Sequence, residues 1–352
     1  MLHAHGYEVH VAAYDNLAVK NGLKLDFVEK VFNIPFDRSP FSLKNIAAYR
    51  QLKQIINSEY YDVIHCNTPV GGIVGRLAAI STRKRGTKVF YTAHGFHFFQ
   101  GGPKKSWLIY YPIEKIMSYI TDALILINNE DYSLAQKKFS CKTFHTHGVG
   151  VSCERYHPLT DPEIRQQRIQ MGYGDYRYLL LCTGELNANK DQATIIRAMP
   201  SIVSAVGSIK LLLAGNGPKE QELKDLVRSL EMDEYIEFLG YRTDLERFTP
   251  IVDLVVTCSH REGMPLNVIE AMLCAKPVVA SINRGHKELV ENGINGYLLA
   301  PSKSADFAKY VISLLEDSQK NIQMGENGFK KGLAYTDTAV SQELDAIYNL
   351  LH

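Results

Sequence analysis

The stretch that decides the fold of this chain is Ser259-His260-Arg261-Glu262-Gly263-Met264-Pro265-Leu266-Asn267-Val268-Ile269-Glu270-Ala271-Met272. Just before it, residues 253–257 form a short, apolar and β-branched run, which predicts a buried strand. After the polar residues, apolar side chains recur at helical spacing, at Leu266, Ile269, Met272 and Leu273. The order is therefore strand, polar loop and helix, the repeating unit of an α/β protein with a parallel sheet.

The loop carries groups that suit both a phosphate and a sugar. Pro265 fits the first helical position, where a missing N–H costs nothing, and Gly263 lets the backbone approach a ligand. The free N–H groups of such a helix start favour an anion, here a phosphate. Glu262 and Glu270 bracket the turn, and their carboxylates can accept hydrogen bonds from sugar hydroxyls. The pattern predicts a nucleotide-sugar site; the alternative is two solvated charges that support the helix dipole.

The spacing of these two glutamates within Arg-Glu-Gly-Met-Pro-Leu-Asn-Val-Ile-Glu-Ala-Met resembles the paired-glutamate signature of the retaining glycosyltransferases of family 4. The chain is similar to the members of that family that act in capsular and exopolysaccharide biosynthesis. The resemblance implies the GT-B fold, in which two Rossmann-like parallel-sheet domains face each other across a cleft. It also implies that Glu270 binds the ribose hydroxyls and Glu262 the transferred sugar. The backbone around Gly263, Met264, Pro265 and Leu266 would then hold the diphosphate.

The periodicity along the chain predicts two α/β domains, and 352 residues are enough for both. In the first half, strands are predicted near residues 7–13, 62–66, 88–93, 122–127 and 143–147, with helices near 43–58, 70–82, 107–119 and 129–139. In the second half, strands are predicted near 178–183, 209–214, 235–239, 253–257, 277–281 and 297–299, with helices near 191–206, 218–230, 265–275, 303–317 and 319–331. We expect an acceptor-side domain over residues 1–152, completed by a returning C-terminal helix at 336–352, and a nucleotide-sugar-binding domain over 153–335.

The predicted first domain begins unusually. Residues 6–13 have the pattern of the second strand of a nucleotide-binding domain, preceded by the end of a helix. The first strand and its Gly-containing loop, which such a domain ordinarily has, are not found ahead of it. We therefore expect the first domain to lack its first strand.

Composition excludes several classes of function. A formal charge of +1 provides no net field for a polyanion, so we expect no nucleic acid partner. No apolar run approaches the roughly 20 residues that cross a bilayer, and the N-terminus is too short and polar for a signal peptide. Six cysteines without a Cys-x-x-Cys pair indicate reduced thiols. These features predict a cytoplasmic protein.

A second polar turn in the predicted C-terminal domain contains Gly184, Glu185 and Lys190. Members of family 4 usually carry Gly-Arg-Leu here and a lysine several residues on, and both cations hold the donor diphosphate. Lys190 matches this pattern, whereas Glu185 stands where the arginine is expected, so Arg242 or Arg261 would have to contribute. The chain contains no Asp-x-Asp pair of the kind that holds a divalent ion on the diphosphate. We expect metal-independent transfer without a cofactor, since the nucleotide sugar is a substrate.

Tyr241 and Arg242 end a predicted strand, where the corresponding family segment flanks the nucleotide base. The alternative is a surface strand end whose arginine pairs with Asp244 or Glu246.

In the predicted first domain, His94-Gly95 follows a strand and resembles a family pattern in which the histidine reaches the donor sugar. A neutral imidazole can hydrogen-bond a sugar hydroxyl or the departing phosphate. On the acceptor side the candidates are Asn67, Thr68 and His97; Asn67 stands where related members tend to carry a second histidine. A structural strand-end turn is the alternative for all of these positions.

Residues 101–112 combine two glycines, Lys104, Lys105 and several aromatic residues. Such a segment suits docking at an anionic membrane surface, where lipid-linked acceptors lie. The hypothesis is peripheral contact with the inner face of the plasma membrane. The alternative is a packed helix with solvated lysines, which Pro112 favours because it interrupts a long amphipathic face.

We therefore expect a hexosyltransferase that moves a sugar, with retention, from a nucleotide-diphosphate donor to a saccharide or lipid-linked saccharide in surface polysaccharide biosynthesis. The donor would be a UDP-sugar, and Glu262, His94 and Lys190 would be the catalytic residues. An inactive or truncated donor-binding partner subunit is one alternative, motivated by Glu185 and the missing strand, and a nucleotide-sugar epimerase is another. A nicotinamide oxidoreductase is disfavoured because no predicted strand is followed by Gly-x-Gly-x-x-Gly.

Overall fold

The chain divides into two compact units. The computed structural model describes residues 2–14, 28–37 and 39–350. The first unit comprises Met1–Gly148 together with Ser341–His352, and the second comprises Val149–Val340. Residues 152 and 336, the boundaries predicted above, lie close to these division points.

The first unit contains two separate parallel sheets. Strands β1 (His10–Ala13) and β2 (Lys30–Asn33) pair with each other. The other sheet has the order β3-β4-β5-β6, formed by Val63–Asn67, Lys88–Ala93, Ala123–Leu126 and Lys142–His145. The helices of this unit are α1 (Lys44–Ser58), α2 (Pro69–Ala78), α3 (Ile80–Arg83), α4 (Lys104–Met117) and α5 (Asn129–Lys138). Strand β5 is buried along its whole length, which explains why its sequence is a continuous apolar run.

A buried ion pair joins α2 to α4. Arg76 Nη2 donates to Glu114 Oε2 at 2.8 Å, and Arg76 Nε donates to the Gly72 carbonyl at 2.8 Å. The guanidinium also lies over the ring of Tyr91 in β4, 4.0 Å from its centre. Burial raises the pKa of Glu114, while the Arg76 charge opposes that rise. The pair therefore ties two helices to the central strand of this sheet.

Substitution of one partner of this pair is expected to destabilise the folded protein more than substitution of both partners. Glu114→Ala leaves the Arg76 charge buried without its counterion and should lower the free energy of unfolding by about 3–5 kcal/mol. The double variant Arg76→Met/Glu114→Leu should lose much less of its free energy of unfolding. Urea unfolding followed by circular dichroism measures both, and a double variant that is as unstable as the single one would contradict this role.

The second unit is a single six-stranded parallel sheet flanked by helices. Its strands are β7 (Tyr178–Thr183), β8 (Ile209–Ala214), β9 (Ile236–Gly240), β10 (Leu254–Thr257), β11 (Val278–Ser281) and β12 (Gly296–Leu299), in the order β12-β11-β10-β7-β8-β9. The helices are α6 (Asp161–Gln170), α7 (Gln192–Val206), α8 (Glu220–Ser229), α9 (Leu266–Leu273), α10 (Arg284–Leu289), α11 (Ser304–Glu316) and α12 (Ser318–Gly332). The strand order reverses between β7 and β10, so a crevice is expected at the carboxyl ends of these two strands.

The last helix, α13 (Asp337–Asn349), passes from the second unit into the first. Ile347 and Tyr348 are buried against Phe90, Ala123 and Ile125 of the first unit. The Tyr348 hydroxyl also lies 2.8 Å from His65 Nδ1. This part of α13 thus completes the apolar core on one side of the β3-β4-β5-β6 sheet.

The sequence pattern predicts no strand at β2 and no helix at α10. Strand β2 has only four residues, three of them exposed, so the apolar signal is weak. Helix α10 has six residues, which is too short for a helical repeat of apolar residues to be recognised. None of the helices in the described part of the chain is both long and apolar enough to cross a membrane.

Candidate active site

A cavity of about 440 Å³ lies at the carboxyl ends of β7, β8, β9 and β10 in the second unit. The topology explains its position, because these ends meet at the point where the strand order reverses. The predicted site residues that line it are Gly184, Glu185, Lys190, Tyr241, Arg242, Glu262, Met264, Pro265, Leu266 and Glu270. Gly263 lies in the same loop but does not line the cavity; its carbonyl is packed against Gly285 of α10, where a Cβ atom would come within 2.9 Å of it.

An ion pair joins the two loops that bound this cavity. Lys190 Nζ donates to Glu262 Oε1 at 2.7 Å, and both side chains are mostly shielded from solvent. The aliphatic part of Lys190 runs past Gly184, whose φ of 139° is in a region that side chains rarely adopt. The Lys190 backbone N–H is held by Asn187 Oδ1 at 2.9 Å. The cation is thus positioned inside the cavity before any ligand enters.

Helix α9 presents its amino end to the cavity. It begins at Leu266, so the expectation that Pro265 is the first helical residue was wrong by one position; Pro265 is the N-cap residue, with an extended ψ of 105°. No side chain caps this helix start in the part of the chain that the structure describes. Asn267 Nδ2 lies 3.5 Å from the Thr183 carbonyl, which ties the helix start to the end of β7. The Val268 N–H donates to the Pro265 carbonyl at 3.1 Å, so among the described residues the N–H groups of Leu266 and Asn267 remain for an anion.

Glu270 lies one turn further along α9 in a largely desolvated position. Burial raises the pKa of Glu270 to about 7, although a hydrogen bond from the Tyr156 hydroxyl and the Arg155 charge both act to lower it. Tyr156 is itself buried. Sequence reasoning missed Tyr156 because it lies in an irregular segment more than a hundred residues before Glu270, and no local motif marks it.

The pKa of Glu270 predicts a pH-dependent effect of Glu270→Gln on stability. The pKa of about 7 in the folded protein exceeds the usual 4.5, so ionisation of this carboxyl destabilises the fold. This destabilisation is absent below about pH 4.5, grows as the pH rises and reaches its full size above about pH 7. Glutamine does not ionise. At pH 8 the variant should therefore be more stable than the parent by roughly 3 kcal/mol, and near pH 5 the difference should be below about 1 kcal/mol.

Chemical unfolding at the two pH values measures this difference. The matched control is Glu316→Gln, which changes an exposed carboxyl of the same unit. A Glu270→Gln effect that is equal at both pH values would show that Glu270 is not protonated in the free protein near neutral pH.

The remaining polar groups of the cavity are partly engaged already. Arg242 donates to both carboxylate oxygens of Asp244, at 2.8 and 2.6 Å. This is one of the two surface pairings that the sequence offered as the alternative to a contact with the nucleotide base. Glu185 accepts a hydrogen bond from Asn187 Nδ2 at 3.0 Å. Tyr241 is 62% exposed at the cavity rim. Arg242 and Lys190 are thus each paired with a carboxylate in the free site, Arg242 with Asp244 and Lys190 with Glu262.

The structure places the other candidate residues in the first unit. His94 Nε2 lies 3.1 Å from Asn67 Oδ1, so the carboxyl ends of the adjacent strands β4 and β3 bring these two residues together. Desolvation lowers the pKa of His94, which favours the neutral imidazole. Thr68 follows with a φ of 64° at the start of α2. His97 instead stacks on Tyr110, with ring centres 4.8 Å apart.

Asp131 is a buried positioning residue that sequence reasoning did not single out. Its Oδ2 accepts hydrogen bonds from the Phe96 N–H at 2.8 Å and from Asn128 Nδ2 at 2.9 Å. The neighbouring Glu130 accepts from the Gln100 N–H at 2.6 Å. The start of α5 thus holds the loop that follows His94. No group of three or more His, Cys, Asp or Glu side chains within the described residues is arranged to hold a metal ion.

Comparison with known proteins assigns the chain to a family. Residues 1–129 match the family described as "Glycosyl transferase 4-like", and residues 163–331 match "Glycosyl transferases group 1". The chain is 40% identical over 347 residues to the putative glycosyltransferase EpsD of Bacillus subtilis (strain 168), which covers 98% of this chain and 89% of that protein. The chain therefore belongs to the group 1 glycosyltransferases.

Other similar proteins support the same fold. The chain is 25% identical over 305 residues to a UDP-Gal:alpha-D-GlcNAc-diphosphoundecaprenol alpha-1,3-galactosyltransferase of Escherichia coli, covering 85% of this chain and 78% of that protein. The crystal structure of Anabaena HepE in complex with UDP and glucose matches with a TM-score of 0.79 and 22% identity, over 97% of this chain and 91% of that one. Sucrose-phosphate synthase from Thermosynechococcus elongatus matches with a TM-score of 0.78 and 19% identity, over 99% and 90%. The predicted GT-B class, with two Rossmann-like parallel-sheet domains, is confirmed.

Proposed function

We propose that this glycosyltransferase moves a hexosyl group from a UDP-sugar to a saccharide or lipid-linked saccharide in surface polysaccharide biosynthesis, with retention of configuration. The observation that carries the proposal is the second-unit cavity, where an uncapped helix start, Lys190, Glu262 and Glu270 line one space. An anion and a polyhydroxylated group would each find complementary partners there.

The diphosphate would bind at the start of α9 beside Lys190. Helix N–H groups and one ammonium would stabilise the negative charge that develops on the leaving phosphate as the glycosidic C–O bond breaks. Lys190 is paired with Glu262 in the free protein. An incoming diphosphate would compete for the same ammonium and so release the Glu262 carboxylate to accept hydrogen bonds from the transferred sugar.

Glu270 would receive the ribose hydroxyls. A carboxylate accepts hydrogen bonds best when it is ionised, and its burial keeps it close to the protonated form in the free site. The two hydroxyl groups would supply the hydrogen bonds that water no longer provides. The Tyr156 hydroxyl donates a hydrogen bond to this carboxyl group.

In the proposed transfer, the acceptor oxygen attacks the anomeric carbon from the face that the phosphate leaves. The bond from that carbon to the phosphate oxygen breaks, a bond to the acceptor oxygen forms, and the acceptor proton passes to the departing phosphate. No separate protein base is needed for this step. The proposal includes no metal ion, because Lys190 and the α9 start supply the positive charge.

Two comparisons support the choice of a UDP-linked donor. The Anabaena HepE structure contains UDP and glucose. The Escherichia coli relative is named for transfer from UDP-Gal to a diphosphoundecaprenol-linked sugar. A second candidate function is a donor-binding partner subunit without transferase activity, favoured by Glu185 in the cavity and by the engagement of Arg242 with Asp244.

Kinetics of three variants test the proposed roles. The protein is incubated with UDP-glucose, UDP-galactose, UDP-N-acetylglucosamine and GDP-mannose, and nucleotide release and donor affinity are measured. Glu270→Ala should weaken donor binding by about tenfold to a hundredfold, since a hydrogen bond to a charged group contributes about 1.5–3 kcal/mol. Glu262→Ala should chiefly lower kcat, by about a hundredfold. Lys190→Met should impair both.

The control for these variants is Glu316→Ala, an exposed carboxyl outside the cavity. Parental kinetics in Glu262→Ala and Glu270→Ala together would overturn the assignment of the site. Tight donor binding without nucleotide release from any donor, with or without acceptor, would favour the partner-subunit function. Recovery of an epimer from donor alone would instead indicate an epimerase.

The outer face of α4 supports peripheral membrane contact. Leu108 is 78% exposed and Ile116 is 61% exposed, and Ile109, seven residues before Ile116, is also exposed. Lys104 and Lys105 stand exposed at the start of the same helix. Exposed apolar residues beside cations suit the surface of an anionic bilayer, where a lipid-linked acceptor would be found.

Flotation with liposomes that contain phosphatidylglycerol measures this contact. The parent should float with the vesicles, and the double variant Leu108→Asp/Ile116→Asp should remain in the soluble fraction. In this variant, two apolar side chains that would insert into the bilayer are replaced by negative charges, which an anionic surface repels. Ile169→Asp, at an exposed apolar residue of the second unit, should float like the parent. A parent that does not float would refute peripheral binding.

A further inference from the structure

A second cavity of the second unit is lined by residues of helices α6 and α12 and is here called the α6–α12 cavity. It has a volume of about 620 Å³. Tyr178, the first residue of β7, and Asp253, which directly precedes β10, form part of its wall. The α6–α12 cavity therefore lies at the amino ends of these two strands, whereas the candidate active site lies at their carboxyl ends. Among the described residues, none lines both cavities.

The turn that follows α9 forms the floor of the α6–α12 cavity. Ala275 has a φ of 54°, and the Lys276 N–H donates to the Ala271 carbonyl at 2.9 Å, which ends the helix. Gly325 of α12 packs directly on this turn, because a Cβ atom at Gly325 would come within 2.1 Å of the Ala275 carbonyl. The backbone of Lys276 is thus held in place while its side chain lines the cavity.

Lys276 is a partly buried cation without a counterion. Within the described part of the chain, its ammonium group forms no hydrogen bond and no ion pair. Burial lowers the pKa of Lys276, and the charges of Asp253 and Asp161 oppose this change only in part. A shielded ammonium without an acceptor is unfavourable, so an anion that enters the cavity would be stabilised by it.

The charged side chains around the α6–α12 cavity carry a net positive charge. Arg168 and Asp253 form an ion pair, with 2.9 Å between Nη2 and Oδ2. The other charged residues of the wall form no ion pair within the ranges that the structure describes. These residues are three cations, Arg165, Lys276 and Lys330, and two acids, Asp161 and Glu326.

Apolar side chains cover another part of the wall. Leu159 and Ile164 lie on the α6 side of the cavity, and Ile322 and Phe329 lie on the α12 side. Ile322 is 61% exposed although it is apolar. An apolar group placed between the two helices would remove part of these side chains from water, which is favourable. The cavity therefore offers an apolar surface and unpaired cations in one space.

We propose that the α6–α12 cavity binds a small amphiphilic anion, a phosphate monoester whose head pairs with Lys276 and whose apolar body lies between α6 and α12. Ammonium and guanidinium groups bind phosphate through charge-assisted hydrogen bonds, and Arg165 and Lys330 line the same space. The cavity volume of about 620 Å³ falls within the range of about 300–1,000 Å³ that is typical of small-molecule sites. The inference concerns a site apart from the candidate active site and does not depend on the proposed function.

The probe is octyl phosphate, added to the full chain and followed by isothermal titration calorimetry. Octanol has the apolar body alone, and inorganic phosphate has the head group alone. Each of these two controls should bind more weakly than octyl phosphate by about tenfold or more, because each one makes only half of the contacts.

Two lysine variants distinguish the α6–α12 cavity from the candidate active site. Lys276→Met removes the positive charge and keeps an apolar side chain, so it should weaken the binding of octyl phosphate by about tenfold to a hundredfold. Lys190→Met changes the cation of the other cavity and should leave the affinity for octyl phosphate unchanged.

Two isoleucine variants test the apolar wall. Ile322 and Ile169 are both exposed residues of the second unit, but only Ile322 lines the α6–α12 cavity. Ile322→Asp should weaken the binding of octyl phosphate by about tenfold, and Ile169→Asp should bind it like the parent. Both substitutions are at exposed positions, so this pair tests the proposal even if Lys276→Met does not fold. Far-ultraviolet circular dichroism shows which variants fold.

The proposal is overturned if octyl phosphate does not bind, or if Lys276→Met and Ile322→Asp bind it as tightly as the parent. It is also overturned if Lys190→Met abolishes binding, because the phosphate would then occupy the candidate active site. Inorganic phosphate that binds as tightly as octyl phosphate would show a simple ion site, and octanol that does so would show a purely apolar groove. Either result would refute an amphiphilic ligand.

Discussion

The parallel pairing of β7 with β10 is the constraint on which the candidate active site depends. Leu254 pairs with Leu180 and Val255 with Leu181, so the loops after these two strands emerge side by side. The His260 N–H then donates to the Asn189 carbonyl at 2.7 Å, and Asn189 Nδ2 donates to the Arg261 carbonyl at 3.0 Å. The ion pair between Lys190 and Glu262 follows from the same adjacency. Residues more than seventy positions apart thus meet because two strands that are distant in sequence are neighbours in the sheet.

The candidate site holds several acids although the proposed donor is anionic, and the structure reduces the repulsion between these acids in several ways. Lys190 neutralises Glu262, and burial raises the pKa of Glu270 to about 7, so that this carboxyl is only partly ionised near neutral pH. Asn187 hydrogen-bonds Glu185, while the α9 start contributes the positive end of a helix dipole. A neutral-to-positive patch for phosphate therefore lies next to carboxylates that suit hydroxyl groups.

The first unit uses a different arrangement of forces. A buried ion pair between Arg76 and Glu114 fastens its helices, and Asp131 fixes the backbone of the loop that follows His94. Its two sheets remain apart above a shared apolar layer. The unit is well packed around β4 and β5, whose residues are almost all buried.

Periodicity in the sequence determined the strongly apolar elements closely, and β4, β7 and β8 have the predicted bounds. It also determined which turns carry polar residues, because Gly184, Lys190, Glu262 and Glu270 each follow a recognisable strand or helix pattern. Strand β2 escaped prediction because four mostly exposed residues give little apolar signal. Only the tertiary structure decided that Tyr156 supports Glu270, that Asp244 engages Arg242, and that Lys276 lines a cavity at the amino ends of β7 and β10. Local patterns record whether a residue is buried, whereas contacts between distant segments depend on the strand order of the folded sheet.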